Sequence, residues 1–156
     1  MKKVKIYSDG SCLRNPGLGG YAAIITYGEN KKEISGGYKL TTNNRMELMA
    51  CIKGLEILKY PCEVTITSDS EYVVNGISKG WAKNWQKNNW IRSEKKEAKN
   101  IDLWKQLLSL TEYHVTHFVW IRGHEGHEEN ERCDQLAKEA ASGEHLEIDL
   151  GYIGAK

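Results

Sequence analysis

Proline is scarce: Pro16 and Pro61 are the only two in 156 residues, each where turn chemistry is expected. No Pro/Ser-rich linker, internal repeat or low-complexity tract divides the chain, so residues 1–156 read as one domain. A single core in a chain of this size commonly buries about two-thirds of the unfolded surface. Cysteine is equally sparse. Cys12, Cys51, Cys62 and Cys133 form no C-x-x-C pair, which excludes a disulfide scaffold and leaves four reduced packing residues. Long apolar runs are absent too; stretches such as Tyr21 to Ile25 fall far short of the roughly 18 residues a membrane span needs, and the amino terminus turns polar at Ser8. A cytoplasmic monomer without membrane contact is the expectation. Net charge is nearly absent, +1 from 22 basic and 21 acidic residues, so only local asymmetry can speak for a nucleic-acid partner.

The hydrophobic pattern that is present changes period along the chain. Val4 to Asp9 alternates like a strand, Asn15-Pro16-Gly17 and Gly19-Gly20 supply turn chemistry, and Tyr21 to Tyr27 with Glu33 to Leu40 reads as a hairpin. From Asn44, Leu48, Cys51, Ile52, Leu55 and Leu58 recur at helical spacing, and Glu63 to Ser68 alternates again. Glu71 to Ser78, Trp81 to Lys87, Ile101 to Glu112 and Asn130 to Ala141 read as helices, with His114 to Ile121 as a strand. An opening meander followed by alternating strands and helices predicts a mixed sheet covered by helices, in the α/β class.

Four carboxylates stand where this pattern ends a strand or borders a buried helix face. Asp9 ends the first strand and Asp69 ends the strand after the first long helix; carboxyl ends of strands are where sites form in open α/β sheets. Taken singly, Asp9 is also a turn residue before Gly10, and Asp69 an N-cap. Glu47, four and eight residues before Cys51 and Leu55, lies beside the apolar stripe. Its alternative is a capping box with Asn44. Asp134 borders the buried face of the last helix beside Cys133, or is a solvated helix acid. Jointly the four suit two hard divalent cations about 4 Å apart, because gathering like charges without a cation is costly. Mg²⁺ fits an all-carboxylate set and Mn²⁺ can substitute. A zinc cluster of His124, His127 and Cys133 lacks a fourth ligand at finger-like spacing, and His127 reads as orienting the start of the last helix.

The small net charge hides opposed segments. Residues 79–99 hold seven basic against two acidic residues, a local +5, whereas residues 123–150 hold nine acidic against two basic, a local −7. Lys79, Lys83 and Lys87 recur every four residues with Trp81 and Trp85 on the other side of the helix, which makes one face basic and one aromatic. Trp81, Trp85 and Trp104 are expected to pack in the core rather than stack on bases. A duplex backbone would be drawn to the basic segment with salt-sensitive affinity.

Asp9-Gly10-Ser11-Cys12 with Asn15-Pro16-Gly17, Thr41-Thr42-Asn43-Asn44-Arg45-Met46-Glu47, Ser68-Asp69-Ser70, and Gly123-His124-x-Gly126-His127 leading to Asn130-Glu131-x-x-Asp134 together resemble bacterial type 1 ribonuclease H. The resemblance implies a mixed five-stranded sheet, three antiparallel strands then two parallel, flanked by helices. It implies a metal-dependent endonuclease that hydrolyses the RNA strand of RNA–DNA hybrids with little sequence preference, leaving 5′-phosphate and 3′-hydroxyl ends. By the same resemblance Asp9, Glu47, Asp69 and Asp134 are the catalytic metal-binding carboxylates. His124 lies on a loop that assists catalysis or product release. Cys12, Asn15, Asn43, Asn44 and Glu71 face the hybrid, and Thr42 and Asn100 hold a phosphate of the DNA strand. Residues 79–99, with Lys79, Trp81, Lys83, Trp85, Lys87 and Trp90, match a basic protrusion that grips the hybrid, and residues 151–156 form a tail. Departures are Glu71 where the family has Gln, Glu125 and Glu128 where small residues or Pro are common, and Arg122 in place of Lys. Added negative charge there leaves a second expectation open, a hybrid-binding module with weakened turnover.

Overall fold

A computed structural model describes residues 1–93, 96–123 and 126–152. Three antiparallel strands open it, β1 (Lys3–Cys12), β2 (Gly17–Tyr27) and β3 (Asn30–Thr41). There follow helix α1 (Asn43–Glu56), strand β4 (Glu63–Ser68), and helices α2 (Glu71–Ser78) and α3 (Trp81–Lys87). A small hairpin of β5 (Ile91–Ser93) and β6 (Lys96–Glu97) precedes helix α4 (Ile101–Tyr113), strand β7 (Val115–Trp120), helix α5 (Glu128–Ala141) and strand β8 (Leu146–Glu147). The sheet order is β7-β4-β1-β2-β3-β8, with β4 parallel to β1 and β7 parallel to β4. The expected five strands are present in the expected sense, and β8 adds a sixth along β3. Two residues are too short to carry a period-2 pattern, which is why β8 has no sequence signal. The β5–β6 hairpin likewise interrupts the basic segment without one.

Strand alternation builds a core on each face of the sheet. Val4, Ile6, Ala23, Val64 and Ile66 point to the face covered by α1 and α4, where Leu48, Ile52, Leu55, Trp104 and Leu107 join them. Ala22 and Ile24 point the other way, onto Cys133 and Ala137 of α5. The close fit of α5 depends on Gly20, since a Cβ there would sit 2.1 Å from the Ala137 carbonyl oxygen.

Register decides what meets at the sheet's carboxyl edge. Tyr7 of β1 is paired with Thr67 of β4 in parallel, so the residues two positions on lie side by side: Asp69 just past the end of β4, and Asp9 on β1 where that strand continues only against β2.

At the opposite edge His114 closes α4 and joins β4 to β7. Its Nδ1 accepts the Cys62 backbone N–H at 3.1 Å, and the imidazole is buried edge-on against Tyr113. Burial lowers its pKa below the usual 6.5, partly opposed by the Leu55 carbonyl. A base whose folded pKa is depressed contributes stability that is present above the unfolded pKa and lost as pH falls from there through the folded value. Protonation also removes the acceptor that Cys62 uses. His114→Gln keeps an acceptor and does not titrate. Urea unfolding is therefore expected to show the stability difference between the native chain and His114→Gln steady above pH 7 and shifting in the variant's favour below 6.5. A pH-independent difference would remove His114 from the acid response.

Candidate functional site

Three carboxylates converge where β4 ends beside β1; Asp9 does not end its strand as expected, since β1 runs on to Cys12 in pairing with β2, but it lies two residues past the last pairing of β1 with β4. Glu47 reaches them from α1, because Thr42 and not Asn44 caps that helix: the Thr42 hydroxyl accepts the Arg45 N–H at 3.2 Å. The capping box of Asn44 with Glu47 is thus absent. Helix start at Asn43 places Glu47 in the second turn, on the sheet side, and Gly10 lets that turn lie against β1, since a Cβ at Gly10 would fall 2.4 Å from the Glu47 nitrogen. Glu47 Oε1 accepts the Gly10 N–H at 3.1 Å. Asp69 is not a cap either; the Ser70 hydroxyl accepts from Val73, which leaves the Asp69 carboxylate to the site. One carboxylate oxygen from each of Asp9, Glu47 and Asp69 lies within 4.8 Å of the other two.

Electrostatics make this gathering costly. Desolvation first, then Asp69 and Asp134, push the Asp9 carboxyl up to about 8. Burial and the charges of Asp9 and Asp69 hold Glu47 well above the usual carboxylate range. Glu47 Oε2 is buried with no hydrogen-bond partner. An orphaned carboxyl oxygen beside two further carboxylates fits a hard divalent cation, which would satisfy it and cancel the repulsion.

Asp134 lines the same cleft as Asp9 and Asp69, together with Gly123 and Asn130, but stands outside the mutually close set. Its Oδ2 pairs with Lys138 Nζ at 3.0 Å. Asn130 anchors the start of α5 to the sheet end, its amide donating to the Thr67 carbonyl at 3.2 Å and the Ser8 carbonyl at 3.5 Å. The Trp120 indole donates to the Asp69 carbonyl at 3.0 Å. His127 occupies the N-cap position of α5 without a side-chain cap bond. Cys133 is buried with its thiol donating to the Tyr7 carbonyl, far from a zinc ligand's role. His124 and Glu125 lie outside the described residues, as do residues 153–156 of the tail.

A groove of about 690 Å³ runs alongside, lined by Asn15, Thr42, Asn43, Asn44 and Asn100. Asn43 Oδ1 accepts the Cys12 N–H at 2.7 Å, and Asn15 Oδ1 accepts the Asn43 N–H at 3.2 Å, so the β1–β2 turn and the start of α1 are tied together. Cys12 enters that tie through its backbone; burial pushes its thiol up to about 11, so it stays protonated near neutral pH. Asn100, in the left-handed region at φ 59°, donates to the Tyr72 hydroxyl at 3.1 Å. Glu71 is exposed at the first turn of α2.

The basic segment is organised as expected in part. Lys79, Lys83 and Lys87 are exposed. Trp104 is fully buried, with Trp85 edge-on to it at 5.9 Å, and Trp90 is buried beneath Lys105. Trp81 corrects the core expectation: it is 40% exposed, with Lys79 Nζ 5.6 Å from its ring centre. Helix α3 has only two turns, and Ala82 is the residue it buries.

Sequence reasoning did not single out Arg45, the largest charged side chain in the core. Its guanidinium is 2% exposed and bridges Asp149 at 2.7 Å and Asp102 at 2.6 Å, also donating to Asn100 at 3.4 Å. The available signal was its position three and seven residues before Leu48 and Ile52, on the buried face of α1.

Residues 1–142 match the family described as RNase H. The chain is 58% identical over 151 residues to Ribonuclease H of Syntrophus aciditrophicus, covering 97% of this chain and 87% of that protein. It is 52% identical over 152 residues to Ribonuclease H of Aeromonas hydrophila, covering 97% and 98%. Among solved structures, LC9-RNase H1, a type 1 RNase H with the type 2 active-site motif, superposes with a TM-score of 0.80 at 30% identity, covering 90% of this chain and 72% of that one. LC11-RNase H1, solved in complex with an RNA/DNA hybrid, gives 0.68 at 28% identity over 88% and 96%.

Proposed function

The chain belongs to the ribonuclease H family, and from that premise we propose that it is an endonuclease hydrolysing the RNA strand of RNA–DNA hybrids, with Asp9, Glu47, Asp69 and Asp134 holding divalent cations. The observation that carries the cation site is the partnerless Glu47 Oε2 in a set of three carboxylates that each place an oxygen within 4.8 Å of the others. Mg²⁺ is the proposed occupant, in two copies, with Mn²⁺ as substitute, since all four groups offer hard oxygen. When bound, the cations supply Lewis-acid activation of water and neutralise charge building on the scissile phosphate, giving 5′-phosphate and 3′-hydroxyl ends. The chain's own residues hold the geometry. Gly10 fixes one Glu47 oxygen, Trp120 braces the Asp69 backbone, and Asn130 keeps α5 against β1 and β4. His124 is the proposed proton-exchange or product-release residue, since an imidazole titrates near neutrality.

Substrate contact is assigned to the groove and the basic face. Asn15, Asn43, Asn44 and the Cys12 turn, beside Glu47, are proposed to read RNA through 2′-hydroxyls and backbone shape; Thr42 and Asn100 take a phosphate of the DNA strand, and Glu71 borders the substrate. Such readout carries little sequence preference. The protein is proposed to act as one domain and as a cytoplasmic monomer, and no helix of the described residues is long and apolar enough to cross a membrane.

The test is a gel assay on labelled RNA–DNA, RNA–RNA and DNA–DNA duplexes with Mg²⁺, Mn²⁺ or EDTA. Cleavage of the RNA strand of the hybrid alone, abolished by EDTA and restored by added metal, is expected. Hybrid binding without cleavage under either metal would instead make the chain a binding module, with Glu71→Gln the first reversion to examine.

The protrusion has its own expected result. Replacing Lys83 and Lys87 together with Ala should raise KM, leave kcat at saturating substrate nearly unchanged, and reduce the slope of log affinity against log salt by about two, one for each lost phosphate contact. An unchanged KM would remove this face from the substrate path.

A further inference from the structure

Asp134 carries a cation of its own. Its Oδ2 lies 3.0 Å from Nζ of Lys138, one helical turn further along α5, in the favourable order of acid before base. Asp134 lines the cleft with Asp9 and Asp69, yet its oxygens stand outside the set that Asp9, Glu47 and Asp69 form within 4.8 Å. Lys138 is 55% exposed and Asp134 27%, so the ammonium has more open solvent to swing into than the carboxylate. Accordingly, we infer that Lys138 is a positioning residue: its ammonium competes with a divalent cation for the Asp134 carboxylate, so that the Asp134–Lys138 pair sets the cation concentration at which the fourth ligand engages. This rests on the reading of the carboxylates as a cation site.

The physics favours easy displacement. A half-exposed pair gains little from its attraction, because water screens both charges and holding the long Lys side chain costs rotamer entropy. A divalent cation brings twice the charge to a carboxylate already near two others. The pair therefore competes with the cation weakly, shifting its apparent affinity by about two- to five-fold, the range typical of exposed ion pairs. An ordinary helix-surface pair would have no such effect on cation uptake.

The test is calorimetric titration of the full chain with Mn²⁺, without substrate, so that its readout is affinity and not turnover. Lys138→Gln is expected to tighten the apparent Kd about two- to five-fold, and Lys138→Arg, which keeps the charge and the reach, to stay close to the native value. In an Asp134→Asn background the same Lys138→Gln change should have no effect. An unchanged Kd in Lys138→Gln overturns the inference. So does equal tightening with and without the Asp134 carboxylate, which would mean a general field effect of losing a positive charge. Cation binding lost in Asp9→Asn but unmoved in Lys138→Gln defeats this inference alone; cation binding unmoved in Asp9→Asn defeats the cation site beneath it.

Discussion

Asp9→Asn is expected to lower cleavage of the RNA strand by about 10²- to 10³-fold, the scale of losing one group that stabilises transition-state charge, while hybrid binding is retained. The substitution preserves volume, removes the negative charge and exchanges one acceptor oxygen for an amide donor. Asn15, Thr42, Asn43, Asn44 and Asn100 line a groove beside the carboxylates and do not depend on Asp9 for their own hydrogen bonds. A second readout tests the physical cause. Asp9 is raised to about 8 by desolvation, Asp69 and Asp134, so it favours the folded state fully below its unfolded pKa near 3.8 and that contribution is lost as pH rises through about 8. In EDTA at pH 8 the Asn variant should therefore melt at a higher temperature than the native chain, and this advantage should shrink toward pH 4. Added Mg²⁺ should raise the Tm of the native chain more than that of the variant. Full activity in Asp9→Asn would sink the cation assignment, and an unchanged melting order in EDTA would sink the repulsion argument.

The reach of sequence reasoning follows the range of the interactions concerned. Strand β4 and helices α2 and α3 begin and end where hydrophobic period and turn residues place them, because their signals are local. The convergence of Asp9 and Asp69 was legible only in part: Asp69 follows the end of β4 as expected, but β1 continues past Asp9 to Cys12, and it takes the parallel register of Tyr7 with Thr67 to bring the two side by side. The start of α1 was less legible, since Thr42 and Asn44 are both capping residues and only the backbone shows that Thr42 does the capping. The acidic run near the carboxyl end hid a division: Asp149 is buried on Arg45, while Glu144 and Glu147 face solvent. Charge counting along a chain cannot separate these, because the partner lies 104 residues away. Trp81 errs in the other direction, an aromatic residue left outside because its helix is too short to bury two sides.

That distant pair is where the fold is expected to be most sensitive. Arg45 donates to Asp149 through Nε at 2.7 Å and Nη2 at 2.9 Å, and to Asp102 through Nη1 at 2.8 Å and Nη2 at 2.6 Å, a two-sided fork that a lysine cannot reproduce. Asp149 is 3% exposed and its remaining side-chain partner is the Thr41 hydroxyl at 2.6 Å. Arg45→Met preserves the buried stem but leaves Asp149 as an uncompensated buried charge, a situation that typically costs about 3–5 kcal/mol. For a domain of this size that corresponds to a fall in Tm of roughly 10 °C. Arg45→Met combined with Asp149→Leu should recover much of the loss, because the penalty comes from the stranded carboxylate rather than from the missing attraction. The consequence reaches the groove. Arg45 also donates to Asn100 and follows Thr42 at the start of α1, so the single variant should raise KM for the hybrid at temperatures where it is still folded. Urea unfolding with both variants decides the matter: a loss below about 1 kcal/mol in Arg45→Met, or no recovery in the double variant, would show that Asp149 finds another way to neutralise its charge.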